Sequence, residues 1–220
     1  KVMGIFSKIK NVFKKVPQSA PERSKVDVKC VDLSHHNEKV SLPSLIGMEL
    51  VLLKATEGKG FVDSKFQSRW LGLKSLAIKR GAYHFYRTNV DPITQASHFI
   101  RTCEGLKPGD ILALDYETCS IKGLVQTMDD LKAHKQDAIK FMSHIELITG
   151  IKPWFYTYHS VIQSCDFGQE FAQYPLWYAR YTSVKPEDKQ GPWSSMIAWQ
   201  YADNGVVDGI SNNVDMNILK

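Results

Sequence analysis

Eight short apolar segments recur along this chain, each running into polar or aromatic residues, and that repetition most limits what it can fold into. They are 28–34 (VKCVDLS), 50–56 (LVLLKAT), 81–86 (GAYHFY), 111–117 (ILALDYE), 153–158 (PWFYTY), 176–181 (LWYARY), 196–201 (MIAWQY) and 214–217 (VDMN). Helix-like stretches lie between several of them. Residues 63–79 carry Phe66, Trp70, Leu73 and Ala77 at helical spacing, and 93–102 and 128–148 read similarly. Gly81 and Gly150 follow such stretches, where a C-terminal glycine is expected. Strands alternating with helices point to parallel α/β units, and eight strands point to a closed barrel. Connections after Leu176 are short and rich in Pro, Asp, Asn and Gly. The expected fold is therefore α/β: a modified TIM-like barrel of eight strands over residues 26–220, with helices missing around the last strands.

The start of the chain reads differently. In residues 4–16 (GIFSKIKNVFKKV), Ile5, Phe6, Ile9, Val12, Phe13 and Val16 fall on one face of a helix, and Pro17 ends it. Residues 1–25 hold seven of the 28 basic residues against one acid, Glu22, so the net charge of +5 belongs to this segment. The remainder is near neutral, which argues against a nucleic-acid-binding domain. A basic amphipathic helix and linker over 1–25 has two readings: residues 1–17 lie on an anionic membrane surface, or they pack onto the barrel. The longest aliphatic run, Leu50 to Leu53, is far too short to span a bilayer. Cys30, Cys103, Cys119 and Cys165 form no C-x-x-C pair; they would permit two disulfides, which a chain this long does not need, and free thiols are the favoured of the two readings. The adjacent His35 and His36 lack a third ligand at metal spacing, so hydrogen bonding is expected of them, and no metal or cofactor is expected.

In a parallel barrel the strand ends at one rim build the site. Here those ends carry Asp32, Glu57, His84, Asp115, Glu117, Tyr156, Arg180, Gln200 and Asp215. Acids among aromatics suit a sugar-cleaving cleft, because aromatic faces stack on pyranose rings and carboxylates handle protons. Asp115 and Glu117 stand two apart on one face of the fourth strand, with Cα atoms about 6.6 Å apart at strand rise. Two close carboxylates disfavour double ionisation, so one stays protonated and can protonate a glycosidic oxygen. That role falls to Glu117. Asp115, one pleat deeper, is the candidate for stabilising positive charge on the sugar. Asp-x-Glu alone is a weak signal. The preceding Ile-Leu-Ala-Leu strengthens it by reading as a strand buried on both faces.

The chain resembles glycoside hydrolase family 25, the muramidases also called Chalaropsis-type lysozymes. The resemblance rests on 31–37 (VDLSHHN), 54–58 (KATEG), 81–86, 112–117, 154–157 (WFYT), 176–179 (LWYA), 199–201 (WQY) and 214–217, in family order over about residues 26–220. It implies hydrolysis of the β-1,4 bond between N-acetylmuramic acid and N-acetylglucosamine in bacterial peptidoglycan, with no cofactor. Glu117 matches the acid/base and Asp115 its partner acid. Asp32 and Asp215 match acids of the first and last strands. Tyr83, Tyr156, Trp199 and Gln200 match cleft-lining positions. The resemblance also implies a substrate-assisted reaction, in which Asp115 orients the 2-acetamido group. The sequence equally accommodates Asp115 as nucleophile or an inverting water.

Other readings stay open at this point. Glu57 is a rim hydrogen-bonding or substrate-binding residue rather than a proton donor. Arg180 is a substrate-binding residue, a partner of one of the acids or a surface residue. His84 is expected as a satisfied core or rim histidine. A chitinase-like motif would need an acid where Ala113 stands. A non-catalytic peptidoglycan-binding protein with a membrane-active helix is the rival of another class, and the joint presence of Asp32, Asp115, Glu117 and Asp215 argues against it. The expectation is a monomeric enzyme, secreted or acting at the cell envelope. A bacteriophage origin would have it made in the host cytoplasm and released to the wall.

Overall fold

The computed structural model describes residues 30–220. The helix expected at 4–16 and its linker lie outside the described residues. Nine strands form among the described residues: β1 (Cys30–Leu33), β2 (Leu50–Glu57), β3 (Phe61–Val62), β4 (Arg80–Phe85), β5 (Ile111–Asp115), β6 (Trp154–Tyr158), β7 (Leu176–Ala179), β8 (Met196–Gly205) and β9 (Val214–Leu219). Eight of them close a barrel in the order β1-β2-β4-β5-β6-β7-β8-β9, and β9 returns to β1. The ninth, β3, is a short hairpin extension of β2. All eight segments read from the sequence are barrel strands. The departure is in direction: the seven barrel strands β1, β2 and β4 to β8 run parallel, and β9 runs antiparallel to both neighbours. β8 reaches β9 by a hairpin, so a parallel crossover is replaced by a short reversal.

Among the described residues, four α-helices accompany the strands: α1 (Phe66–Ser75), α2 (Pro92–Thr102), α3 (Met128–Thr149) and α4 (His159–Cys165). The first three match the expected stretches; α4 was not foreseen. No helix stands between β7 and β8 or between β8 and β9. Local chemistry sets the helix ends. Asp91 caps α2, accepting from Thr94 N at 2.8 Å, with Pro92 in the first turn. Thr127 and Asp130 form a reciprocal capping box on α3, and Gly150 ends it at φ 69°. Gly81 has a different job from the one expected. It lies inside β4, where an added Cβ would sit 2.4 Å from Leu52 Cδ2 and 3.0 Å from Ile111 Cβ. The turn after α1 is made instead by Ala77, at φ 55°.

Strand alternation separates two cores. Outward residues such as Val51, Leu53, Ala82, Leu112, Leu114, Phe155 and Tyr178 pack with Trp70, Phe99, Phe141 and Ile145. Inward residues, among them Leu50, Leu52, Ile111, Ala113, Trp177 and Ala198, fill the lower barrel. The upper interior carries buried Asp32, Asp115, Gln200 and Asn217. Such polar groups near the C-terminal strand ends need partners or a purpose.

Candidate active site

Strand β5 ends at Asp115, so Glu117 lies two residues beyond it rather than on it. The alternation nevertheless continues. Tyr116 donates its backbone N–H to Tyr156 O at 2.9 Å and turns its ring outward, where its hydroxyl donates to Leu131 O at 2.6 Å. Glu117 therefore turns inward like Asp115. Its backbone carbonyl is held by Gln126 Nε2 at 2.7 Å, and the same side chain donates to Tyr86 O at 3.0 Å. One glutamine thus fixes the chain carrying Glu117 against the end of β4.

Glu117 lines two cavities. One, of about 400 Å³, has Tyr156, Tyr158, Tyr181, His159 and Arg180 on its walls. The other, of about 360 Å³, has Asp115, Asp215, Tyr83, Lys54 and Glu57. A carboxyl shared by two cavities can reach groups bound in either. Burial pushes the Glu117 carboxyl up to about 7, with Asp32 adding repulsion and Lys54 pulling the other way. Asp115 is shifted well above the usual carboxylate range, first by burial and then by Glu117. Its Oδ1 is buried without a hydrogen-bond partner. Buried carboxyl oxygens are ordinarily paired, so this one can accept from a donor brought to it.

Across the barrel, Asp32 on β1 faces Asp215 on β9. Asp32 Oδ2 accepts from Gln200 Nε2 at 2.9 Å and Asn217 Nδ2 at 2.8 Å. The Gln200 carbonyl in turn accepts from the hydroxyls of Tyr156 (2.9 Å) and Tyr181 (3.1 Å), and the Asn217 carbonyl from Trp177 Nε1 (2.7 Å). Two amide relays therefore converge on one carboxylate oxygen and fix the orientation of both amides. Asp215 is pushed up to about 9 by burial, by the Asp32 charge and by a hydrogen bond to Asp32. Burial raises Asp32 as well, but hydrogen bonds from Asn217, Gln200 and Asp215 hold it down, so the pair favours its proton on Asp215.

The structure gathers Glu117, Asp115, Asp32, Asp215, Tyr83, Tyr156 and Gln200 around this mouth. Glu57 belongs to the rim: Lys54 Nζ donates to its Oε2 at 2.8 Å, and Arg87 holds its Oε1, with Nε at 2.9 Å. These cations keep its carboxyl below the usual range despite its burial, which suits a support rather than a proton donor. Trp199 is a correction. It alternates with Gln200 to the outer face, joins the outer core, and donates its Nε1 to Arg180 O at 2.9 Å. Arg180 is exposed and has no ion pair with a carboxylate among the described residues, so of its three readings the acid partner is not found. His84 is fully buried between Thr56 and Gln95 and pushed down to about 3 by burial. His35 bonds Asp63 through Nδ1 at 2.8 Å, and the four cysteines are free thiols. Sequence reasoning passed over Asn217, Tyr181 and Lys54. Asn217 had a readable signal: it shares a strand face with Asp215 two residues earlier.

Residues 31–210 match the family model described as Glycosyl hydrolases family 25. The chain is 32% identical over 171 residues to an autolytic lysozyme of Clostridium acetobutylicum, covering 78% of this chain and 48% of that protein. It is 27% identical over 198 residues to an N,O-diacetylmuramidase of Chalaropsis sp, covering 85% of this chain and 93% of that one. Among solved structures, a bacterial lysozyme from Streptomyces coelicolor matches with a TM-score of 0.75 at 25% identity, over 86% of this chain and 90% of that chain. The chain spans about half the length of the clostridial relative.

Proposed function

The chain belongs to glycosyl hydrolases family 25, and from that membership we propose that it is a muramidase. It cuts the β-1,4 bond from N-acetylmuramic acid to N-acetylglucosamine in bacterial peptidoglycan. The observation that carries this reading is Glu117, shared by two cavities and held at about 7, beside an orphaned Asp115 oxygen. A carboxyl of that pKa is protonated in part of the population at neutral pH and can donate to the leaving glycosidic oxygen. The printed names of the clostridial and Chalaropsis relatives, a lysozyme and a muramidase, support the same substrate.

In this reading the substrate's own acetamido group takes part in the reaction. Glu117 gives its proton to the glycosidic oxygen as the C1–O bond breaks. The carbonyl oxygen of the substrate's own 2-acetamido group forms the new bond to C1, and its N–H donates to Asp115 Oδ1. Glu117, now a carboxylate, takes a proton from water. The water oxygen bonds to C1 and releases the acetamido oxygen, so the anomeric configuration is retained. Asp32, ionised and doubly hydrogen-bonded, supplies fixed negative charge near the cationic centre. Asp215 keeps the proton that makes this single charge tolerable.

Residues 26–220 form the hydrolase domain in this reading, working as a monomer at the cell envelope. Residues 1–25 form a separate basic segment directed to an anionic membrane surface. Mass spectrometry of peptidoglycan digests tests the activity: new reducing ends on muramic acid are expected from the protein and none from Glu117→Gln. Reducing-end glucosamine, or undiminished cleavage by Glu117→Gln, would overturn the reading. Partition of a synthetic 1–17 peptide onto phosphatidylglycerol vesicles tests the segment, and no binding refutes its role.

A further inference from the structure

Glu57 and Arg87 line the cavity that holds Asp115, and they also line a third pocket outside it, of about 490 Å³. The segment after Glu117 walls both. Residues 118–121 line the first and residues 123–126 the second, and between them the backbones of Cys119 and Gln126 pair at 2.9 and 2.8 Å. The charged groups of the third pocket are already engaged. Arg87 gives Nε and Nη2 to one Glu57 oxygen and Nη1 to Leu124 O at 2.7 Å, and Lys54 holds the other Glu57 oxygen. Asp130 accepts from the Thr127 backbone N–H and hydroxyl. What the pocket offers a ligand is therefore neutral. The side chains of Phe61, Leu124 and Val125 are exposed there. The Asn89 side-chain amide and the backbone N–H groups of Asn89, Gly123 and Val125 have no acceptor among the described residues.

The size is that of a ligand pocket, and the walls argue against another sugar. A pyranose ring stacks on an open aromatic face. Of the lining residues only Phe61 is aromatic, and its ring already lies 5.7 Å from that of His35 and 5.6 Å from Lys54 Nζ. Val90, Leu124 and Val125 are aliphatic. Aliphatic walls with unpaired N–H donors fit a short peptide, whose methyl side chains pack and whose carbonyls accept. In the proposed reaction the acetamido group on C2 of muramic acid rests on Asp115. The neighbouring carbon, C3, carries the lactyl ether, and the peptide begins at the lactyl carboxyl. The peptide therefore starts inside the Asp115 cavity and leaves over its rim, and the Glu57–Arg87 edge of that rim opens onto the third pocket. We infer that this pocket binds the peptide stem of the muramic acid held at Asp115. This rests on the reading of the chain as a muramidase. Asn89 and Val125 are then specificity residues: they favour peptide-bearing glycan and take no part in proton transfer.

The test uses two glycans: intact peptide-bearing strands, and strands stripped of peptide by an amidase. The unaltered protein is expected to show the lower KM on intact strands. Val125→Ser and Asn89→Ala each remove one contact, an apolar one and a hydrogen bond. Each should raise KM about fivefold on intact strands with kcat nearly unchanged, and the penalty should vanish on stripped strands. An equal penalty on both glycans makes the pocket a further sugar site, and no penalty on either leaves it outside substrate binding; both results overturn the inference. Calorimetric binding of intact and stripped fragments to Glu117→Gln, with and without Val125→Ser, repeats the comparison without turnover. If the unaltered protein cuts neither glycan, the hydrolase reading fails, while the binding comparison still decides the role of the pocket. Matching circular dichroism and melting of each variant show that the fold is intact.

Discussion

Asp215 stands directly opposite Asp32 in the β1–β9 register, and the hydrogen bond between the two carboxyls lowers Asp32 and raises Asp215. Like charges facing each other across strands destabilise a sheet, and here the protein avoids that by leaving Asp215 neutral. An unfolded Asp215 titrates near 3.8 and the folded one at about 9. Between those values the folded state holds the extra proton. The stability from this group is therefore fully present at low pH and declines as pH rises towards 9, with a limiting slope of about 1.4 kcal/mol per pH unit for one proton. Asp215→Asn keeps a donor facing Asp32 and removes the titration. Its melting temperature is expected to exceed that of the unaltered protein by a margin that grows from pH 5 to pH 8.5. Thermal melts across that range check it, and two parallel curves would contradict it.

Glu117 makes the matching prediction for rate. As the proton donor it must be protonated before cleavage, so kcat/KM should fall as pH rises through about 7, the value to which burial lifts this carboxyl. Lys54 opposes that lift. Lys54→Met should accordingly move the alkaline limb to higher pH, even though it also loosens Glu57. Glu117→Gln should lower kcat by a factor on the order of 10² to 10⁴, in line with the loss of a positioned acid. Steady-state rates on soluble glycan fragments between pH 4 and 9 measure all three. A limb that stays in place in Lys54→Met would remove Lys54 from the electrostatics of the site.

Much of this was legible in the sequence, and the illegible parts have physical reasons. The eight strands declared themselves because residues such as Ile111, Ala113 and Leu114 must be apolar on both faces of a covered strand. Asp32, Asp115 and Asp215 stood out because acids at the ends of such strands are costly without a task. The direction of β9 was not readable, because alternation along a strand is the same whether its neighbours run parallel or antiparallel. Trp199 was misplaced for a similar reason. Both faces of β8 carry large residues, and only the closed barrel shows that Gln200 points in and Trp199 out. The partners of Gln200 come from β1, from β6 and from just past β7, so no local pattern could reveal them.

The relays onto Asp32 give a third prediction. Hydrogen bonds from Asn217 and Gln200 are what restrain the burial-driven rise of the Asp32 carboxyl. Each bond to a charged group contributes about 1.5–3 kcal/mol. Asn217→Ala removes one donor and leaves the Trp177 indole without its acceptor. The expected result is a stability loss of about 2 kcal/mol and an Asp32 carboxyl shifted upward. If ionised Asp32 supports the reaction, the acidic limb of the pH–rate profile shifts upward in the same variant. Gln200→Ala should move that limb in the same direction while also freeing Tyr156 and Tyr181. Urea unfolding and pH–rate profiles provide the comparison; an unmoved acidic limb in both variants would take Asp32 out of the reaction.

At the other end of the barrel, Arg80 and Asp110 form a buried pair that should matter for stability and not for rate. Arg80 Nη2 meets Asp110 Oδ2 at 2.8 Å and Nε meets Oδ1 at 3.1 Å, with both side chains fully shielded from water. The guanidinium also lies 3.5 Å from the centre of the Trp70 ring and donates to the carbonyls of Trp70 and Gly105. It therefore ties α1, the α2–β5 connection and the start of β4 into one unit. Removing one member of a buried ion pair leaves the other charge uncompensated, a loss of about 3–5 kcal/mol. Asp110→Asn should fall at the lower end of that range, because the amide still offers one acceptor to Arg80, and Asp110→Ala at the upper end. Replacing both residues with apolar ones of similar volume should recover much of the loss, because the desolvation cost disappears along with the attraction. Denaturant midpoints of the two single variants and the double variant decide this. The pH–rate profile of whatever remains folded should match that of the unaltered protein, since neither residue lines either cavity at Glu117.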